Sequence, residues 1–157
     1  MESKSREVAF GSPEHEAVYE GAAHILDKAF PGRVDRLHSV PVLEVRLGGE
    51  RTVRSFVSVI QSDDHVIVRS TAWVLRGVNS SLELYRLLLL RSGSAKFGAY
   101  FINEDGDVGF SHAIVGETLD EGELVASVTA VALTAASDDD LGIRFGGIRA
   151  DHDVPVV

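Results

Sequence analysis

Residues 97–116 read FGAYFINEDGDVGFSHAIVG, and the acidic run Asn103-Glu104-Asp105-Gly106-Asp107 at their centre admits two readings. An EF-hand loop spreads oxygen ligands over 12 residues, ends in a bidentate glutamate and is flanked by helices. Counted from Asn103, the closing position holds Ile114. The flanks alternate as strands, with Phe97, Ala99 and Phe101 on one side and Val108, Phe110 and His112 on the other. Asp-Gly between two such runs is a hairpin signal, because glycine readily takes positive φ. The acids therefore cap and solvate a turn, and the stretch is two antiparallel strands.

Upstream lies a second antiparallel unit. Val42 to Leu47, Thr52 to Gln61 and Val66 to Leu75 are rich in alternating and β-branched residues, separated by Gly48-Gly49 and Ser62-Asp63-Asp64. Its second and third strands carry apolar groups on both faces. Phe56 and Ile60 oppose Val57 and Val59, and Ile67 and Trp73 oppose Val66, Val68 and Val74. A sheet covered on one side usually shows polar residues on the other, so a further layer is expected on that second face.

Three helices complete the pattern. Ser12-Pro13-Glu14 supplies an N-cap, a proline at the first helical position and an acid in the first turn; Pro31-Gly32 ends that helix. Asn79-Ser80-Ser81 starts a second helix from Leu82 to about Arg91, whose four leucines at 87–90 point about 100° apart. Either the core of one chain or a partner subunit must cover them, and Tyr85, Leu87, Leu88 and Leu89 are the expected homodimer contact. Thr118 and Glu121 fit a capping box opening the third helix, which Ser137-Asp138-Asp139-Asp140 either ends or decorates. The tail from Arg144 reads as turns. The expected fold is α+β, in the order α-β-β-β-α-β-β-α, with a five-stranded antiparallel sheet packed by helices. One domain over 1–157 is expected, with flexible ends at 1–11 and 148–157.

Composition narrows the chemistry. The 157 residues include no cysteine, which rules out disulfides and thiolate catalysis. A formal charge of −9 without a Lys/Arg run argues against nucleic acid as a partner and favours basic clients. No stretch approaches the ~20 apolar residues that span a bilayer, and the N-terminal residues hold no signal-peptide core. A cytoplasmic protein with no membrane partner is expected.

Candidate catalytic groups fall to simpler readings. Glu16, Glu20 and His24 share a helical face beside His15, but no other helix supplies a matching Glu-x-x-His set. Ser111 and His112 are adjacent on a strand and point to opposite faces. Gly93-Ser94-Ala95-Lys96 lacks the second glycine and the hydroxyl of a phosphate loop. No catalytic, cofactor-binding or metal residue is assigned, and the protein is not expected to be an enzyme.

From Leu87 to Gly147 the chain resembles the C-terminal half of YbjN-type proteins, related in fold to the CesT-like class I chaperones of type III secretion. The pieces are Phe97-Gly98, Glu104-Asp105-Gly106-Asp107, His112-Ala113-Ile114-Val115-Gly116, Leu119-Asp120-Glu121, Glu123-Leu124 and Arg144-Phe145-Gly146-Gly147, in that order. It departs from the pattern at Arg91-Ser92-Gly93 and at Ala136-Ser137-Asp138. The resemblance implies a commonly dimeric domain of the same element order, without a known catalytic site, whose relatives hold an extended client segment. An apolar two-faced sheet fits such a role. The peptide contacts expected are Phe56, Val57, Val59, Ile67, Val68 and Trp73, whichever face proves open. The alternative is a structural or regulatory subunit whose apolar surface is buried in a larger assembly.

Overall fold

The computed structural model describes residues 7–49 and 51–150. Helix α1 (Pro13–Ala29) begins where Ser12 Oγ accepts the His15 N–H at 3.0 Å, and its inner stripe is Val18, Tyr19, Ala22, Ala23 and Leu26. Strands β1 (Val34–Arg36), β2 (Val42–Leu47), β3 (Val53–Gln61) and β4 (Val66–Arg76) follow. Helix α2 (Leu82–Ser94), strands β5 (Ala99–Ile102) and β6 (Val108–Val115), and helices α3 (Glu121–Ser137) and α4 (Asp139–Phe145) come next, with β7 (Ile148–Arg149) last. The sheet runs β1-β2-β3-β4-β6-β5, with β7 added beside the end of β4; every ladder is antiparallel.

The fold is α+β, as its periodicity indicates, with two more strands and one more helix than expected. β1 holds a single apolar residue and β7 only two residues, too short for any alternation to register. α4 follows Asp138, where α3 ends, so the aspartate run marks a junction between helices. The cap of α3 also lies two residues later than its sequence suggests. Gly116–Thr118 closes a 3-10 turn, and Asp120 takes over as N-cap, its carboxylate accepting the Glu123 N–H at 2.9 Å. The flexible ends were expected at 1–11 and 148–157, of which 7–11 and 148–150 are described. Phe10 packs on the core against His15 and Tyr19, and Ile148 and Arg149 pair with Arg76 and Leu75. Residues 1–6 and 151–157 lie outside the described part.

The core lies between one face of the sheet and the helices. Leu43, Val45, Val57, Val59, Val68 and Ile114 meet α1 and the first half of α3. Ala72, Val74, Val108 and Phe110 meet α2, the second half of α3 and α4 through Leu84, Leu88, Val131, Ala135 and Leu141. Cross-strand partners share a face, and the pairs Val59–Val68, Val68–Ile114 and Ala72–Phe110 put both groups on the same side. All the long helices therefore cover that side. Each fully buried Leu or Phe there contributes about 1.5–3 kcal/mol.

Two glycines in the hairpin region are forced by space. At Gly98 (φ +76°) a Cβ would lie 2.3 Å from the Ser111 carbonyl oxygen, so only glycine lets the chain enter β5 there. Gly106 (φ +80°) turns the acidic hairpin.

Candidate functional site: the uncovered face of the sheet

No helix among the described residues packs over the opposite face, which presents the alternate residues of each strand. Four rows cross it. Ile60, Ile67 and Val115 form one, Val42, Ser58, Arg69 and Ala113 the second, Glu44, Phe56, Thr71, Ser111 and Ala99 the third, and Trp73, Gly109 and Phe101 the fourth. Between the rows lies a hollow of about 480 Å³, walled by Phe56, Ile60, Trp73 and Phe101, with Arg69, Thr71 and Ser111 supplying polar groups. The Trp73 and Phe101 rings meet edge-on at 5.3 Å, and the Arg76 guanidinium stacks 4.9 Å from the Trp73 ring. Gly109 makes this possible, since a Cβ there would sit 2.4 Å from the Phe101 ring.

Of the six expected peptide contacts, Phe56, Ile67 and Trp73 lie half-buried on this face. Val57, Val59 and Val68 are at most 1% exposed and sit under the helices, so no ligand reaches them while the core is closed. The parity of β3 and β4 decides it: Val57 and Val59 share a side with Val68, opposite Phe56, Ile67 and Trp73. Ile60 and Phe101 join the face without having been singled out. Ile60 has the parity of Phe56, whereas Phe101 reaches Trp73 only through the register of β5 on β6.

The expected dimer contact also divides. Leu88 is 5% exposed and faces the sheet with Leu84, and Leu87 is half-buried. Tyr85 and Leu89 point outward together with Leu82 and Leu90, the last three each more than 60% exposed.

The groups weighed for chemistry hold the fold together. Asn103 Oδ1 accepts the N–H groups of Asp105 and Asp107, and Asp107 Oδ1 accepts the Gly77 N–H at 2.9 Å. The Gly106 carbonyl in turn accepts the Val78 N–H, so the hairpin braces the passage from β4 to α2. Burial works against ionisation of Asp107, but the Gly77 amide, Asn103 and Arg76 outweigh it and hold the carboxyl below its ordinary range. Among the described residues, no group of three or more His, Asp or Glu could hold a metal ion.

His112 Nδ1 lies 2.9 Å from Ser127 Oγ, which donates to Ser70 Oγ at 3.0 Å, a polar thread between sheet and α3. Ser111 is on the other side of the sheet. His15 is buried; its Nδ1 accepts the Gly11 N–H, so Nε2 carries the proton and donates to the Val59 carbonyl at 2.8 Å. Glu16, Glu20 and His24 are exposed, with Glu20 paired to Arg36.

One charged cluster escaped the sequence reading. Arg91 of α2 donates to Asp138 at 2.8 Å and to Asp140 at 2.7 Å, and the Tyr100 hydroxyl donates to Asp138. Burial, then the Asp138 carboxylate, pushes the Tyr100 hydroxyl well above the ordinary tyrosine value. Burial also raises Asp138, against the pull of Tyr100 and Arg91. The cluster clamps α2 and β5 to the α3–α4 junction.

The sequence profile of a family described as T3SS (YopN, CesT) and YbjN peptide-binding chaperone 1, TY-Chap1, matches residues 42–153. The chain belongs to this family. Every strand of the four rows lies within the matched residues, whereas α1 and β1 precede them. Comparison with curated proteins gives no significant match. The uncovered face is thus part of a TY-Chap1 domain, a peptide-binding chaperone module. Among the described residues of this member, no helix is long and apolar enough to cross a membrane.

Proposed function

We propose that this TY-Chap1 protein holds an extended segment of a client polypeptide against the uncovered face of its sheet and makes or breaks no bond. One observation carries the reading: Phe56, Ile60, Ile67, Trp73 and Phe101 share a face that no helix among the described residues covers, each only half-buried. Apolar side chains of a client would fill the hollow between the rows and remove that surface from water. Two copies pair through the outer side of α2, where Leu82, Tyr85, Leu89 and Leu90 stand exposed. The protein works in the cytoplasm, and its excess negative charge keeps a sticky surface soluble.

The test uses a labelled apolar peptide and two variants, Phe56→Asp and Trp73→Ala. Both side chains lie outside the core, so folding should survive. Loss of peptide binding by tenfold or more in each, with unchanged circular dichroism, is expected. Undiminished binding in both, or no binding by the parent chain, would remove this reading. A chain that stays soluble only when coexpressed with one fixed partner would favour a structural or regulatory subunit instead.

A further inference from the structure

Arg69 lies on β4, an inner strand of the sheet, in the row Val42, Ser58, Arg69 and Ala113 of the uncovered face. Its cross-strand partners, Ser58 and Ala113, are too small to cover a guanidinium. Its other neighbours on that face are Ile67 and Thr71 along β4, Phe56 and Ile60 on β3, and Ser111 and Val115 on β6. None of these is charged. Among the described residues Arg69 makes no hydrogen bond, ion pair or ring contact, and it is exposed. The other charge in the four rows, Glu44, stands two strands away and is paired with Arg54.

The hollow of about 480 Å³ has Arg69 in its wall, between Ile60 on one side and Phe56, Trp73 and Phe101 on the other. Ser58, Thr71 and Ser111 add hydroxyls to it. A client segment laid across these apolar groups takes water from the guanidinium as well. An ion stripped of water without a counter-charge is costly, whereas a guanidinium that grips a carboxylate offsets much of that cost through charge-assisted hydrogen bonds. A wholly apolar segment is therefore a poor fit for this face.

We infer that Arg69 selects client segments that carry one carboxylate between apolar residues. The occupant is an extended polypeptide whose acid meets the guanidinium while apolar side chains on either side of it meet Ile67 and Trp73. At about 3.3 Å per residue, Ile67 lies roughly 7 Å and Trp73 roughly 13 Å from Arg69 along β4. Such a client has apolar residues about two positions to one side of its acid and about four to the other. The inference rests on the peptide-holding reading and narrows it. Net charge favours clients that are basic as a whole; Arg69 asks for one acid at one place within them. An arginine here also discourages two uncovered faces from stacking, a role that by itself predicts no preference for a carboxylate.

Trp73 is the only tryptophan, so its fluorescence reports on the hollow. The full chain is titrated with peptides that share apolar residues at those two spacings. Three carry Glu, Gln or Lys at the central position, and a fourth has the central Gln with a Glu at its end. The central-Glu peptide should bind about fivefold tighter than the central-Gln and end-Glu peptides, and the advantage should shrink as salt rises. The central-Lys peptide should bind weakest. Arg69→Gln should abolish the preference without weakening the central-Gln peptide. Arg69→Lys, which keeps the charge but not the planar fork, should retain part of it. Equal binding of the central-Glu and central-Gln peptides by the parent chain overturns this inference and leaves the peptide-holding reading standing. So does a preference that survives Arg69→Gln. No response to any peptide overturns both.

Discussion

Gly109 leaves room for an aromatic ring where any other residue would place a methyl group. Gly109→Ala should force Phe101 away from Trp73, cost about 1–3 kcal/mol and shift the Trp73 emission. An unchanged spectrum and unfolding midpoint would mean that the ring contact is dispensable. Asp107 gives a pH dependence whose sign follows from its bonds. Its folded pKa lies below the unfolded value of about 3.9, so its contribution is present above that pH and lost as pH falls through the folded value. Glu117 acts in the same direction, because the Val66 N–H donates to its carboxylate. The urea midpoint should therefore fall as pH drops below about 4, and less so in Asp107→Asn. Tyr100 has the opposite sign: its hydroxyl contributes fully below the ordinary value of about 10, and that contribution is lost only as pH rises through the higher folded value. In an alkaline titration of phenolate absorbance, Tyr100→Phe should remove the part of the curve that appears late. The hairpin turn was legible from Asp105-Gly106 because its geometry is local. The Tyr100–Asp138–Arg91 cluster was not, since its members are up to 47 residues apart in sequence and meet only by tertiary packing.

At the scale of elements, α2 is divided between two duties. Leu84 and Leu88 hold it to the sheet, while Leu82, Tyr85, Leu89 and Leu90 face outward. Leu88→Asp would bury a charge in the core and unfold the chain, so it says nothing about dimerisation. Leu89→Asp with Leu90→Asp should instead yield a folded monomer by analytical ultracentrifugation; a dimer of unchanged affinity would remove α2 as the contact. The N-caps of α1 and α2 were readable because Ser12 and Ser81 act within three residues. The cap of α3 was misplaced because the 3-10 turn at Gly116–Thr118 competes with Thr118 for the same role. β1 and β7 left no trace in the periodicity, since strands of three and two residues exist only through the partners they find.

For the whole molecule, two layers account for the pattern of oily residues. All the long helices of the described residues stand on one side, so a sheet with apolar groups on both sides has one side that they do not cover. The alternation in β3 and β4 revealed both sets of residues, but which set was buried depended on the side the helices chose, a non-local fact. That is why Val57, Val59 and Val68 were grouped with Phe56, Ile67 and Trp73 until the register separated them. The most direct measurement is photo-crosslinking with an apolar peptide carrying a benzophenone side chain, followed by mapping of the attached residues. Crosslinks at Phe56, Ile60, Trp73 and Phe101 are predicted; crosslinks confined to the outer surfaces of α1, α3 or α4 would contradict the account.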